Sequence, residues 1–239
     1  MPRPADEERQ VALLETVEIG PPADVAGSVI WLHGLGADGH DFEPIVPELQ
    51  LDGLLNLRFV FPHAPVRPVT INNGMSMRAW YDIISFERNG PQDEQGIRDS
   101  AAQLEALVKR EEQRGVPLNR IVLAGFSQGG AIAMHTAVRM QSPLAGLMVL
   151  SSWMPLADSF NNEVVAAKTS QPRELPVFVA HGSFDPVLPL ALGEQTRDAL
   201  TAAGFATEWH SYPMAHSVCA EEIAAIRKWL LKVYEVAAA

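Results

Sequence analysis

The fold is decided by one stretch of the chain, RIVLAGFSQGGAIAMH, which covers residues 120–135. Its first six residues are mostly apolar and partly β-branched, as is typical of a parallel strand that is covered on both faces. The run from Gly130 onward is typical of a buried helix. Between the two lies Gly125-Phe126-Ser127-Gln128-Gly129, whose glycines leave room where side chains would collide in a sharp turn. The stretch therefore predicts a strand-to-helix elbow with Ser127 at its tip.

Five other short apolar runs resemble the strand that precedes Ser127, and they cover residues 28–33, 57–61, 144–151, 176–181 and 207–212. Segments with helical periodicity separate several of these runs. Their apolar faces consist of Ile97, Ala101, Leu104 and Val108, then Leu192, Ala199, Leu200 and Ala203, then Ile223, Ile226, Leu230 and Val233. Strands that alternate with helices predict an α/β fold with a mostly parallel sheet and helices on both faces. We expect a strand near residues 13–19 to add an antiparallel edge.

The chain has 239 residues, of which 47% are hydrophobic, and this is the size of one α/β domain. We expect that domain to cover residues 28–239, after an N-terminal extension over residues 1–27 that can supply the edge strand. Residues from about 63 to 96 show neither a clear helix nor a buried parallel strand, yet they are rich in apolar side chains. Long irregular connections are usually functional or disordered, and the apolar content favours a loop or small hairpin over the active site.

The charge and cysteine content argue against several classes of protein. The chain has 18 basic and 29 acidic residues and a formal net charge of −11, so nucleic acid and anionic membrane surfaces repel it. No run of about 18 apolar residues is present, so no membrane span is expected. Cys219 is the only cysteine, and the N-terminal residues lack a signal-peptide pattern. We expect a cytoplasmic protein.

Ser127 is the candidate nucleophile. An alcohol is a weak nucleophile at neutral pH and needs a base within hydrogen-bonding distance and an open approach to the substrate. The elbow supplies the approach, and the helix N-terminus offers free backbone N–H groups to a developing oxyanion. We predict that the N–H groups of Gln128 and of Leu35, in the glycine-rich turn after residues 28–33, are the two oxyanion donors. Ordinary structural turns are the alternative at both places.

The base and its orienting acid are expected to follow Ser127 in the order acid, then histidine. Asp185 comes directly after the apolar run 176–181, at the edge of the sheet where parallel strands gather functional residues. Asp158 is the second candidate for the acid. His216 lies in the loop between the last strand and the last helix. We predict that His216 accepts the proton of Ser127 and that Asp185 fixes the tautomer of its ring.

The remaining histidines fit the role of the base less well. His33, His40, His63 and His135 precede the expected acid, while His181 and His210 lie in strand runs and are expected to be structural. No glycine-rich loop ends in Gly-Lys-Ser/Thr, and the histidines do not show metal-ligand spacing. Neither nucleotide nor metal binding is therefore predicted.

With these residues in place, the sequence resembles the phospholipase/carboxylesterase family of α/β-hydrolases, which includes bacterial carboxylesterases and acyl-protein thioesterases. The resemblance runs from about residue 28 to the C-terminus, in family order, through residues 29–38, 61–65, 79–83, 124–131, 150–152, 181–185 and 212–216. It implies an α/β-hydrolase fold, a triad of Ser127, Asp185 and His216, and oxyanion donors at Leu35 and Gln128. It also implies that no metal or organic cofactor is needed and that the protein can form a homodimer.

One departure from the family lies beside the predicted base. Many members have glycine where this chain has Ala215. If that position needs a positive φ, alanine strains the loop that carries His216. The backbone of this loop then decides whether the histidine can reach Ser127.

Three functions are compatible with these residues. The main hypothesis is a carboxylic-ester hydrolase that acts on small-molecule esters with short-to-medium acyl groups through an acyl-serine intermediate. The alternative is an acyl-protein thioesterase or lysophospholipase for longer acyl chains. This alternative requires an apolar substrate groove. Its candidate residues are Ile71, Met75, Trp80, Trp153, Met154 and Leu188. Ordinary core packing would also explain these apolar residues. The third hypothesis is a non-catalytic binding protein that keeps the fold.

Overall fold

The computed structural model describes residues 12–85, 90–166 and 175–236. The strands in these ranges are β1 (Thr16–Ile19), β2 (Gly27–Leu32), β3 (Leu57–Pro62), β4 (Val66–Val69), β5 (Met75–Arg78), β6 (Ile121–Phe126), β7 (Gly146–Leu150), β8 (Pro176–Gly182) and β9 (Ala206–Tyr212). The helices are α1 (Ile45–Glu48), α2 (Glu94–Gln113), α3 (Gln128–Ala137), α4 (Ala157–Ala166), α5 (Leu190–Ala202) and α6 (Ala220–Val236).

Seven of the strands form one sheet in the order β1-β3-β2-β6-β7-β8-β9. All neighbouring pairs are parallel except β1 with β3, where Thr16 lies opposite Pro62 in an antiparallel register. The predicted α/β class and mostly parallel sheet are therefore confirmed. Helices follow the parallel strands, as right-handed crossover connections require.

Both faces of the sheet are covered, which explains the nearly continuous apolar runs in the sequence. Along β2, Ile30 and Leu32 pack into a core with α2, α3 and α5, while Val29 and Trp31 point to the other face, toward α1 and α6. Every residue of β2, β3 and β7 is buried. Successive strand residues point to opposite faces, so a strand with two covered faces has no polar face to show in its sequence.

The predicted apolar faces of two helices are largely buried, whereas that of α5 is not. On α5 the buried residues are Gly193, Thr196 and Leu200. Leu192 and Ala199 were expected on the apolar face of this helix; both are only partly buried and line a cavity, and Ala199 also packs against the core. A helix beside a cavity has an apolar surface that faces neither the core nor open solvent, and periodicity alone does not separate these environments.

A network of buried polar side chains lies at the N-terminal ends of β2 and β3. Glu111 of α2 accepts hydrogen bonds from Ser28 Oγ and Arg58 Nη1, both at 2.7 Å. Arg58 also donates to the Pro22 carbonyl at 2.6 Å. The three side chains are at most 1% exposed. We call Ser28, Arg58 and Glu111 the Glu111 network; it ties the segment before β2 to the sheet and to α2.

Strands β4 and β5 form a separate antiparallel hairpin within the region where a loop or small hairpin was expected. Arg78, the last residue of β5, forms hydrogen bonds with the loops that follow β2 and β3. Its carbonyl accepts a hydrogen bond from Gly36 N at 2.9 Å, and its Nη1 donates to the Ala64 carbonyl at 2.8 Å. The hairpin is thereby attached to the loop that follows β2. Residues 86–89 of the expected region lie outside the described residues, and its last residues, from Glu94 onward, form the start of α2 instead of a loop.

Candidate active site

Ser127 occupies a strained turn between β6 and α3. Its φ is 54° and its ψ is −123°, a conformation that costs a residue with a side chain about 1–3 kcal/mol. The backbone at Gly129 packs closely against the end of β2. A Cβ on Gly129 would lie 2.5 Å from the carbonyl oxygens of both Leu32 and His33. The glycine thus lets α3 begin directly against the end of β2. The sequence-predicted elbow is present, with Ser127 only 8% exposed.

Three side chains from three different strand ends form one hydrogen-bonded chain. His216 Nε2 lies 3.0 Å from Ser127 Oγ, and His216 Nδ1 lies 2.6 Å from Asp185 Oδ2. An ionised carboxylate can only accept hydrogen bonds, so Nδ1 carries the proton and Nε2 is free to accept one from the serine. We call Ser127, His216 and Asp185 the Ser127 network. Asp158, the second candidate for the acid, lies in the first turn of α4 instead.

Asp185 is held on its other side by the backbone. Its Oδ1 accepts hydrogen bonds from the N–H groups of Val187 and Leu188, both at 2.8 Å. The carboxylate is buried at 8% exposure. Both oxygens therefore have fixed partners, and the oxygen that faces His216 has little freedom to turn away.

The loop that carries His216 is close to the loop of Asp185 because Gly182 has no side chain. A Cβ at Gly182 would lie 2.5 Å from the Met214 carbonyl oxygen and closer still to that of Ala215. Phe184 N also donates to Met214 O at 3.1 Å. Ala215 is not among the described non-glycine residues with positive φ, which are Asp24, Gln50, Asn73, Ser127, Ser151 and Leu156. The strain considered for Ala215 is absent, and the need for glycine falls on Gly182.

The two predicted oxyanion donors lie on either side of Ser127. Gln128 is the first residue of α3, where backbone N–H groups have no carbonyl one turn earlier in the helix. Leu35 follows Gly34, and a Cβ on Gly34 would lie 3.5 Å from Ser127 Cβ. Leu35 and Ser127 line the same cavity. Backbone donors from both sides can therefore approach an acyl group attached to the serine.

The side chain of Gln128 has a structural task of its own. It is fully buried, accepts a hydrogen bond from Trp80 N at 2.9 Å and donates to the Tyr81 carbonyl at 2.8 Å. Ser100 Oγ donates to the Trp80 carbonyl. The segment after the hairpin is thereby fixed against the start of α3, where it supplies one wall of the site.

Other histidines have structural partners. His181 Nε2 donates to the Leu188 carbonyl at 2.9 Å, and burial lowers the pKa of His181. His210 stacks on Phe178 and Tyr212. Burial lowers the pKa of His135 to about 3. These histidines are away from the Ser127 hydroxyl, which His216 contacts.

A cavity of about 250 Å³ opens onto Ser127 and His216. It is lined mainly by apolar side chains: Leu35, Ala37, Ile83, Phe126, Trp153, Val187 and Leu188. A second cavity, of about 290 Å³, shares Ile83, Trp153 and Leu188 with the first and extends toward α4 and α5. The shared residues make the two cavities neighbours along one wall.

The structure places some of the residues predicted for a substrate groove at the two cavities, and others away from them. Trp153, Met154 and Leu188 line the second cavity. Trp80 does not line either one: it is 1% exposed, and its indole Nε1 donates to the His33 carbonyl at 2.9 Å. Ile71 and Met75 lie outside both linings and are 36% and 64% exposed, because they belong to the hairpin rather than to the sheet edge.

Six residues of the active-site lining were not among the predicted site residues: Gly34, Ala37, Asp41, Ile83, Phe126 and Val187. Val187 follows the predicted acid by two positions, so its place in the same loop was an available signal in the sequence. Ile83 and Asp41 come from connections whose path depends on packing. Within the described ranges no group of three or more His, Cys, Asp or Glu side chains could hold a metal ion, and no helix is long and apolar enough to cross a bilayer.

The chain is similar to known proteins over most of its length. The model of the phospholipase/carboxylesterase family matches residues 15–234. Acyl-protein thioesterase 1 of Cryptococcus neoformans is 35% identical over 236 residues, which cover 92% of this chain and 97% of that protein. Acyl-protein thioesterase 1 of Neurospora crassa is 39% identical over 210 residues and 85% of each chain.

Solved structures are similar over nearly the same length. The crystal structure of Zea mays acyl-protein thioesterase 2 has a TM-score of 0.82 and 28% identity, and covers 92% of this chain and 99% of its own. With the parallel sheet and the strand-end site in place, these matches identify an α/β-hydrolase fold. The chain therefore belongs to the phospholipase/carboxylesterase family and is an ester-type hydrolase of the esterase/thioesterase class.

Proposed function

We propose that the protein is a serine carboxylesterase that cleaves carboxylic esters of short-to-medium acyl groups through an acyl-Ser127 intermediate. The observation that carries this proposal is the hydrogen-bonded chain from Ser127 Oγ through His216 to Asp185, with distances of 3.0 and 2.6 Å, at an apolar cavity. A binding protein that had lost activity would have no need to keep a strained serine in contact with an oriented imidazole.

In the first half of the reaction, Ser127 Oγ attacks the ester carbonyl while His216 Nε2 takes its proton. The backbone N–H groups of Leu35 and Gln128 stabilise the negative charge that develops on the carbonyl oxygen. Asp185 stabilises the imidazolium and keeps the ring in its orientation. The bond to the alcohol then breaks, and His216 returns the proton to the leaving oxygen.

In the second half, a water molecule takes the place of the alcohol. His216 removes a proton from this water, which attacks the acyl-serine carbonyl, and the same backbone donors stabilise the second oxyanion. Collapse of this intermediate releases the carboxylic acid, and the proton returns to Ser127 Oγ. The cycle needs no group beyond the protein and water.

Pre-steady-state hydrolysis of a chromogenic short-chain ester tests the proposal. We expect a burst of alcohol equal to the concentration of folded protein, followed by slower turnover, and a fluorophosphonate should add one adduct at Ser127. Ser127→Ala should abolish both signals. Ser76→Ala is the matched control, because Ser76 is exposed on the hairpin, and it should behave as the wild type. Folded wild-type protein with neither burst nor adduct would favour the binding-protein hypothesis.

A second candidate function is hydrolysis of longer acyl chains, as esters or thioesters. It is favoured by the second cavity, because the shared wall of Ile83, Trp153 and Leu188 leads from Ser127 toward α5. The relatives whose names describe acyl-protein thioesterases support the same direction. An extended acyl group would bury its methylenes there, each contributing about 0.8 kcal/mol when fully removed from water.

A chain-length series on matched oxygen esters and thioesters separates the two candidates. If the second cavity binds acyl chains, kcat/KM should rise from acetyl to longer acyl groups. Ala199→Phe fills this cavity from α5 and should lower kcat/KM for long chains by about tenfold or more, with the acetyl ester unaffected. Ala202→Phe places the same ring on the exposed side of α5 and serves as the control. If kcat/KM does not change with acyl length, the short-chain esterase is the function that the data support.

Two further expectations belong to the proposal. The resemblance to the family implies a homodimer, which light scattering coupled to size-exclusion chromatography would test. The single cysteine favours the reducing environment of the cytoplasm, which cell fractionation would test. Neither affects the chemistry at Ser127.

A further inference from the structure

His33, the first residue after β2, is a buried histidine with a defined tautomer. It is 1% exposed, and its Nε2 lies 3.1 Å from the backbone nitrogen of Ala64, while its Nδ1 lies 2.7 Å from the carbonyl oxygen of Gly34. An amide N–H can only donate and a carbonyl can only accept, so the proton must be on Nδ1. Burial lowers the pKa of His33 to about 4, which keeps the ring neutral near pH 7.

The carbonyl that His33 binds belongs to the same peptide group as the Leu35 N–H. The described residues contain no cis peptide bonds. In a planar trans peptide the C=O and the N–H point in opposite directions, so fixing one fixes the other. The hydrogen bond from His33 Nδ1 to Gly34 O thereby sets the direction of the Leu35 N–H, although the ring itself does not touch the cavity at Ser127.

The neighbouring peptide groups of this loop are fixed by other partners. The Trp80 indole donates to the His33 carbonyl at 2.9 Å, and Gly36 N donates to the Arg78 carbonyl at 2.9 Å. Ala37 N also donates to Gly34 O, but at the longer distance of 3.3 Å. His33 therefore supplies the shorter contact to the one peptide group that carries the proposed oxyanion donor.

We propose that His33 is a positioning residue for ester hydrolysis, which directs the Leu35 N–H at the oxyanion through its hydrogen bond to the Gly34 carbonyl. The inference rests on the function proposed for Ser127 and adds a second, remote histidine to it. A neutral imidazole suits this task because it is rigid, reaches two backbone groups at once and leaves the cavity free. The positioning by His33 stabilises only those states of the reaction in which the carbonyl oxygen of the substrate carries negative charge.

Two substitutions separate the hydrogen bonds of His33. In His33→Asn the amide nitrogen takes the place of Nδ1 and can still donate to Gly34 O, while the acceptor for Ala64 N is lost. In His33→Gln the amide oxygen takes the place of Nε2 and can still accept from Ala64 N, while the donor to Gly34 O is lost. His135→Gln is the control for a buried histidine, since His135 Nδ1 has no hydrogen-bond partner among the described residues.

Kinetics of a short-chain ester, normalised to the molecules that a fluorophosphonate labels, should distinguish the variants. We expect His33→Gln to lower kcat on the order of 10²-fold with little change in KM, as expected when one oxyanion donor is lost. His33→Asn should recover most of this loss. Affinity for a trifluoromethyl ketone, which forms an oxyanion on Ser127, should fall in His33→Gln by the same factor as kcat/KM. His135→Gln should change stability only.

The outcomes separate this inference from the function on which it rests. If the wild type hydrolyses the ester but folded His33→Gln keeps its kcat, or if the Asn and Gln variants lose kcat equally, the positioning role is wrong and the esterase stands. If the wild type is neither labelled nor active, the proposed function itself is wrong. Long-range ¹H–¹⁵N NMR of the wild type adds a test that needs no variant: a proton on His33 Nε2 instead of Nδ1 would overturn the inference.

Discussion

Two networks of buried polar side chains lie at opposite ends of the same sheet. The Ser127 network joins the C-terminal ends of β6, β8 and β9, and the Glu111 network joins the N-terminal ends of β2 and β3 to α2. Each contains a serine, a carboxylate and a basic side chain. They differ in the basic member and in what surrounds it.

In the Glu111 network the basic member is an arginine, which is charged at every relevant pH and is enclosed by carbonyls and a carboxylate. In the Ser127 network it is a histidine, which can gain and lose a proton and borders a cavity. Parallel strands that end in separate loops leave a crevice at their C-terminal edge, whereas Ser28, Arg58 and Glu111 at the opposite edge are at most 1% exposed. The same kinds of side chain therefore stabilise the fold at one edge and suit proton transfer at the other.

Asp185→Asn should produce the largest effect on the Ser127 network. An amide that donates to His216 would favour the wrong ring tautomer, with the proton on Nε2, and kcat should fall about 10⁴-fold. The free energy of unfolding should change little, because the Asn oxygen can still accept from Val187 N and Leu188 N. Ester kinetics and denaturant unfolding measure the two quantities. An equal loss of activity and folded protein would mean that Asp185 is only structural.

Gly182→Ala sharpens the comparison, because it moves the loops without removing a member of the network. The new Cβ would collide with the carbonyls of Met214 and Ala215, and a shift of His216 by about 1 Å should lower kcat about 10²-fold. Gly115→Ala, at the end of α2, meets no atom within 4 Å and should leave kcat per folded molecule unchanged. Wild-type kcat in folded Gly182→Ala would show that the loop tolerates the displacement.

Glu111→Gln tests the opposite edge. Removing the charge beside buried Arg58 should lower the free energy of unfolding by about 3 kcal/mol, with kcat per folded molecule unchanged. Burial alone would raise the pKa of Glu111. The hydrogen bonds from Ser28 and Arg58 outweigh this effect, so the pKa is below its ordinary value.

The low pKa fixes the direction of the pH dependence at Glu111. The contribution of its carboxylate is complete above the unfolded pKa of about 4.3 and is lost as the pH falls through the lower folded value. Urea unfolding at pH 7 and below pH 4 should therefore show a smaller difference between variant and wild type at the lower pH. If the difference between variant and wild type is the same at the two pH values, the ionised carboxylate of Glu111 is not the form that stabilises the fold.

The smallest effect on kcat is expected at Glu222, a buried acid that belongs to neither network. Burial raises the pKa of its carboxyl group to about 8, although a hydrogen bond from the backbone of Cys219 acts in the opposite direction. The folded state therefore keeps a proton that the unfolded state loses, so stability falls as the pH rises from about 4.3 toward 8. Glu222→Gln should be more stable than the wild type near pH 8, by up to about 4 kcal/mol for a pKa raised from about 4.3 to about 8. If the difference in the free energy of unfolding between the variant and the wild type is the same at pH 5 and at pH 8, this prediction is wrong.

The sequence predicted those parts of the molecule that follow from local pattern. Buried strands have continuous apolar runs, and the elbow at Ser127 has glycines where side chains would collide. The order of Ser127, Asp185 and His216 along the chain was sufficient to propose that they meet, because each follows a parallel strand and such strands end at one edge. Their catalytic roles are still predictions that the kinetics above would test.

The substrate wall could not be predicted in the same way. Trp80 and Met75 are both apolar and lie five residues apart in the sequence, yet one is enclosed beneath the loop after β2 and the other is exposed on a hairpin. Leu192 and Ala199 fit a helical core pattern but line a cavity. The apolar character of a side chain indicates a tendency to be buried away from water. It does not indicate which part of the protein the side chain will pack against.

The sequence by itself thus determined the α/β fold, the strained elbow and the residues that can meet at one edge of the sheet, because these depend on short-range periodicity and chain order. Tertiary structure alone decided that Gly182, and not Ala215, must be free of a side chain, and that His33 directs the Leu35 peptide. Both features depend on distances between loops from different strands. Such distances result from the packing of the whole domain, and no local pattern encodes them.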